Sequence, residues 1–118
     1  MTEVLYHSDI FLPGWFTAPT RRVKVDYGHH AKREALADRY GEIALPAYVN
    51  LKRFRVIEVG VINGRVSKIL FRGKLDNERD LCIVLIPRGD NPWRCKTVWV
   101  NLNSDKHKTL DRSRYAAA

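Results

Sequence analysis

The chain has 118 residues, 45% hydrophobic and 29% charged, with 21 Lys+Arg against 13 Asp+Glu for a net charge of +8. That suits one soluble domain with a core of its own, and no apolar run reaches membrane-spanning length. The basic excess favours anionic partners, nucleic acid before a membrane surface, and two cysteines exclude a disulfide-stapled scaffold.

The charge is unevenly placed. Residues 52–74 carry Lys52, Arg53, Arg55, Arg65, Lys68, Arg72 and Lys74, with Glu58 as the only acid. Residues 75–92 are acidic instead, with Asp76, Glu78, Asp80 and Asp90 against Arg79 and Arg88. Cys82 and Cys95 lie in apolar runs, where a thiol serves as a small buried hydrophobe. No cationic–apolar–small leader pattern opens the chain, so a reducing cytoplasm is the expected compartment.

Residues 1–20 hold Ile10, Phe11, Leu12, Trp15 and Phe16 without a clear period, broken by Pro13-Gly14 and Pro19. They read as an extended arm, serving either as a strand that completes a sheet or as a partner-binding element. Residues 21–115 form the domain, and Ala116-Ala117-Ala118 is set aside as an appended tail. Arg22 to Tyr27 alternates as a strand does. His29 to Tyr40 is helical in composition, with Ala31, Ala35 and Leu36 on one face and Gly41 as its stop. Ala44 to Leu51, with Pro46 near its start, suits a second short helix.

Arg55 to Ile62 and Arg65 to Arg72 are two β-rich runs joined by Asn63-Gly64. That dipeptide is a strong hairpin signal, because a type I′ turn needs positive φ at both central residues. The turn sets Ile62 opposite Arg65, Val59 opposite Lys68 and Arg55 opposite Arg72. Leu81 to Ile86 reads as a central strand, and Arg94 to Asn101 as the last one. The expected fold is α+β: an N-terminal arm and one or two helices packed on a three- to four-stranded antiparallel sheet.

The stretch WRCKTVWVNLNSDKHKTLDRSRY, residues 93–115, concentrates the chemistry. Residues 94–114 contain Arg94, Lys96, Lys106, Lys108, Arg112 and Arg114 against Asp105 and Asp111. His107 is the leading catalytic candidate, since an imidazole exchanges protons near neutral pH and lies here among cations. A solvated loop histidine is the plain alternative. Lys68 stands among apolar neighbours, either snorkelling at the sheet or aimed into a site. Together with Arg72 and Lys96 it would stabilise charge on a pentacoordinate phosphate. Arg55, Arg65, Lys106, Lys108 and Arg112 are candidate nucleic-acid contacts, and Trp99 a base-stacking platform. His29 and His30 open the helix, where one caps and the other lies on the surface unless the helix start seats a phosphate. No P-loop, GxGxxG, HExxH or CxxC is present, the histidines give no zinc spacing, and neither metal nor cofactor is expected.

Four segments, HHAKREALADRYG, VIEVGVINGRVSKILFR, DLCIVLI and KTVWVNLNSDKHKTLDRSRY, resemble in order and spacing the barnase–EndoU–colicin–RelE group of small RNase folds, in the His-His-Ala helix branch found in phages. The resemblance covers most of residues 27–115. It implies a RelE-like fold and metal-independent cleavage of RNA. It points to His30 at the helix start, Lys68 and Arg72 on the hairpin, and Lys96, His107 and Thr109 near the C-terminal end. One position departs: the branch has Arg one turn after the His of His-Ala, and here stands Glu34.

The reading that follows is a ribonuclease of the toxin-like kind acting on RNA phosphodiesters in a cytoplasm, that of the host if the chain is phage-encoded. His107 serves as acid or base, Lys68, Arg72 and Lys96 stabilise charge, and Thr109 positions the substrate. The alternative is a non-catalytic module binding nucleic acid, a host protein or an antitoxin on the same basic face. A third reading has the aromatic arm as a partner-binding element.

Overall fold

The computed structural model describes residues 2–105 and 111–117. Its strands are Val4–His7 (β1), Arg22–Tyr27 (β2), Tyr48–Asn50 (β3), Phe54–Ile62 (β4), Arg65–Lys74 (β5), Arg79–Ile86 (β6) and Trp93–Leu102 (β7). One α-helix, His29–Leu36 (α1), lies between β2 and β3. The seven strands make one sheet in the order β1-β4-β5-β6-β7-β2-β3.

This corrects the expected fold class. The sheet has seven strands rather than three or four, and it is mixed: β2 runs parallel to β7, with Val25 opposite Trp93 and Tyr27 opposite Cys95. It is not the small antiparallel, RelE-like sheet under one or two helices. Residues of the arm supply β1, which pairs antiparallel with β4 from Val4↔Val61 to His7↔Glu58. The expected second helix is a strand instead: β3 pairs with β2, placing Val49 opposite Val23, and both are buried. The neighbouring backbone is tied in as well, since Val25 N–H donates to Ala47 O and the Tyr27 hydroxyl to Pro46 O. Pairing with β2 satisfies these groups and buries Val49, which an isolated turn of helix after Pro46 would not.

The hairpin is as its turn chemistry demands. Asn63 and Gly64 have φ of 52° and 75°, and Ile62 faces Arg65 while Arg55 faces Arg72. Between those ends the register departs from a regular ladder. Irregularities at Val56/Glu58 and Gly60/Val61 set Val59 opposite Ile69 and Gly60 opposite Lys68. Each extra residue rotates its neighbours relative to the simple alternation.

One face of the sheet is the core. Ile69, Phe71, Leu81, Ile83, Leu85, Val98 and Val100 cluster there with Ala31 and Ala35 of α1. Phe16 packs against the same cluster, so the arm also closes the core. The helix ends at Leu36, earlier than expected, and Leu36 is exposed. The Asp38 carboxylate accounts for this: it accepts the Tyr40 N–H at 3.0 Å and the Val100 N–H of β7 at 3.0 Å. An Asp that caps backbone amides in this way draws the chain out of the helix. The two cysteines are buried and free, Cys95 in the core cluster and Cys82 aligned with Trp99 on the other face, so they do not face each other. No described helix is long and apolar enough to cross a membrane.

Candidate active cleft on the open sheet face

The face opposite the core carries a cleft of about 380 Å³. Its floor follows from strand register. His7 faces Glu58, Glu58 faces Leu70, Leu70 faces Val84, and Val84 faces Thr97. Five adjacent strands thus each place one side chain in a single row across the sheet. Ile57, Lys68 and Trp99 flank that row, and Asp111, Arg114 and Tyr115 form a wall.

The wall is fastened to the floor. Ala116 N–H donates to Leu5 O at 2.8 Å, and the Tyr115 hydroxyl donates to Glu58 Oε1 at 2.7 Å. The Tyr115 ring meets the His7 ring edge-on at 5.0 Å. Burial, then the bond to Glu58, raises the Tyr115 phenol to about 12, so it stays a neutral donor. His7 is buried, and its Nδ1 accepts the Asp9 N–H at 3.0 Å.

Lys68 is half-buried and its Nζ lies 3.3 Å from Glu3 Oε1. Glu3 also takes the Ser67 hydroxyl. Partial burial works against the Glu3 carboxylate, but the Ser67 bond and the charges of Lys68 and Lys96 hold its pKa below the usual value. Lys68 and Lys96 are therefore both close enough to act on one carboxylate. Lys96 is exposed and is the extra residue of a bulge in β7, since Cys95 faces Leu85 and Thr97 faces Val84.

The other sequence candidates are distributed differently. Arg72 is buried, 3% exposed. Its Nε meets Asp80 Oδ2 at 2.8 Å, and its Nη2 donates to Leu102 O at 3.2 Å and Asp105 O at 2.8 Å. That geometry clamps the chain after β7 to β5 and β6 and commits the guanidinium inside the protein. His30 is exposed and pairs with Glu34 at 3.4 Å. Glu34 accepts the Thr97 hydroxyl at 2.7 and 2.8 Å. The start of α1 is thereby linked to the cleft through one carboxylate. Trp99 lines the cleft, Arg55 is exposed beyond its end, and Arg65 is exposed at the hairpin turn, away from it. Arg112 is exposed in the single turn Arg112–Arg114. His107, Thr109, Lys106 and Lys108 lie outside the described residues.

The cleft also holds residues the sequence reading did not choose: His7, Glu58, Thr97, Arg114 and Tyr115. Glu58 had a signal, as the lone acid in a cationic hairpin. His7 had a weaker one, a polar residue closing the apolar run Val4-Leu5-Tyr6. Among the described residues no group of His, Cys, Asp and Glu is placed to hold a metal ion. Comparison with protein-family models, with curated proteins and with solved structures found no match for this chain.

Proposed function

We propose that the protein is a metal-independent ribonuclease that takes a single RNA strand into the open-face cleft. One observation carries the reading. A cation (Lys68), a carboxylate (Glu58), a hydroxyl (Thr97) and a half-buried indole (Trp99) meet in one hollow of a strongly basic chain. Trp99 offers a stacking surface for a base, and Lys68 a charge for the phosphate.

In the proposed reaction Glu58 takes the proton of the ribose 2′-hydroxyl. The 2′-oxygen attacks phosphorus, the bond from phosphorus to the 5′-oxygen breaks, and an acid protonates that leaving oxygen. His107, read from the sequence as acid or base, takes the acid role here. Lys68 offsets the charge of the pentacoordinate phosphorus. The products are a 2′,3′-cyclic phosphate and a 5′-hydroxyl. The sequence resemblance to the barnase–EndoU–colicin–RelE group supports the same reaction class. The test is incubation of labelled single-stranded RNA in EDTA. Fragments ending in cyclic phosphate, lost in Glu58→Gln and in His107→Ala, are expected; intact RNA under these conditions would refute catalysis.

A second reading, binding without cleavage, is favoured by the partners these groups already have. Lys68 is paired with Glu3, Glu58 with Tyr115, and Arg72 with Asp80. It predicts salt-sensitive RNA binding with no products.

A further inference from the structure

The groups that line the cleft are poorly suited to holding a polyanion. Among the described residues Lys68 and Arg114 are balanced there by Glu58 and Asp111. The charge lies elsewhere. At the open end of the hairpin, opposite the Asn63-Gly64 turn, a hollow of about 400 Å³ is walled by Lys52, Arg53, Arg55, Arg72 and Lys74, with Asp80 the only acid among the described residues. Asp80 is already paired with Arg72. Lys52, Arg53, Arg55 and Lys74 are exposed and make no ion pair with a described residue. They come together for structural reasons. The single turn Leu51–Arg53 is anchored by buried Leu51 and capped by Asn50, whose side chain accepts the Lys52 N–H. Phe54 faces Gly73 across the ladder, and its ring fills the space a side chain at Gly73 would need. Lys52 and Arg53 are thus held beside Arg55 and Lys74 on a stiff strand end.

The hollow neighbours the cleft by way of a third, which Asp9 and Asp105 also line. The third shares Ile57 with the cleft and Arg55 with the basic end.

We propose that Lys52, Arg53, Arg55 and Lys74 form a phosphate-backbone subsite that anchors a single-stranded nucleic acid whose reactive or stacked nucleotide lies in the cleft. This rests on the RNA reading above and separates two tasks. The basic end supplies affinity through counterion release, and the cleft supplies chemistry and base contact. Four exposed cations with no ion pair among the described residues release counterions on binding, whereas Lys68 must first give up Glu3.

The experiment measures binding of a fluorescent single-stranded oligoribonucleotide between 50 and 300 mM salt by anisotropy. The triple variant Lys52→Ala, Arg53→Ala, Lys74→Ala is expected to bind about ten-fold or more weakly at low salt, with a slope of log K against log salt shallower by about 2, at about 0.7 per phosphate contact. Lys74→Gln alone should lose about 0.7; one exposed strand-end side chain does not carry the fold. An unchanged slope in both variants would overturn the proposal. So would its loss only in Lys106→Ala, Lys108→Ala, or binding of polyglutamate in place of the oligonucleotide. The two readings part cleanly. A wild type that binds with this slope and cuts nothing keeps the subsite and loses the reaction. A wild type that cuts RNA while the triple variant keeps its slope loses the subsite and keeps the reaction.

Discussion

Lys68 stands directly across from Gly60, and the Glu3 carboxylate fills the space that a side chain at Gly60 would take. A Cβ there would sit 2.7 Å from Glu3 Oε2 and 2.8 Å from Ser67 Oγ. The bulge that sets this register therefore decides where Lys68 points and which acid holds it. Gly60→Ala is expected to expel Glu3 and leave Lys68 without its partner at a small cost in stability, because the obstructing carboxylate ends a flexible side chain. Urea unfolding as a function of pH checks it: the acid-end loss of stability that belongs to Glu3 should be absent from the variant. Its persistence would show that Glu3 keeps its seat.

Arg72 was a catalytic candidate by sequence and is a structural clamp by geometry. Removing it leaves Asp80 without its cation and frees the carbonyls of Leu102 and Asp105. Arg72→Ala should therefore lose stability at the lower end of the about 3–5 kcal/mol that breaking a buried pair costs, since Asp80 keeps some contact with solvent. The double change Arg72→Met, Asp80→Leu should recover part of it. Loss of RNA cleavage with unaltered denaturant stability would return Arg72 to the active groups.

What the sequence revealed depended on range. The Asn63-Gly64 hairpin was legible because its turn chemistry is local, and so were the strands β2, β6 and β7, whose patterns need no partner. The parallel contact of β2 with β7 was not, because Tyr27 and Cys95 meet only through long-range closure. Tyr48-Val49-Asn50 was lost for the same reason: a three-residue strand has no period to read, and Pro46 mimics a helix start. At the site, Lys68 and Trp99 were legible as a cation and an aromatic on strands. His7, Glu58 and Tyr115 were not joined, since they come from the first strand, the hairpin and the C-terminal segment, and only β1 docking on β4 brings them together. The bulges moved Lys68 from Val59 to Gly60, which alternation alone does not show.

The segment walling the cleft should respond to alkali. The Tyr115 phenol sits at about 12 in the folded protein against an ordinary 10.0. A raised phenol stabilises the fold fully below pH 10 and loses that contribution as pH rises through about 12. Comparing wild type with Tyr115→Phe, the stability difference should be flat up to pH 10 and shrink above it. At the acid end Glu3 has the opposite sign. Its lowered value contributes above about pH 4.5 and is lost as pH falls further, a loss absent from Glu3→Gln. Identical pH profiles in the paired proteins would contradict both.

The thiols should be inert. Burial raises Cys82 to about 11, with the positive charge of Arg72 opposing it; burial, then the nearby Glu34 charge, raises Cys95 to about 12. Thiolate is the reactive form, so at pH 8 neither should react with Ellman's reagent until the protein unfolds, and mild oxidation should form no intramolecular disulfide. Rapid modification of the folded protein would show that one of them is reachable.

Photocrosslinking of a 4-thiouridine-containing single-stranded RNA, with the attachment sites read by peptide mass spectrometry, tests most directly whether RNA lies in the open-face cleft. Attachment at Trp99 and Tyr115, reduced by Lys68→Ala, is the result expected. Attachment confined to Trp15, Phe16 and Trp93 on the core side, with none at the cleft, would contradict the account.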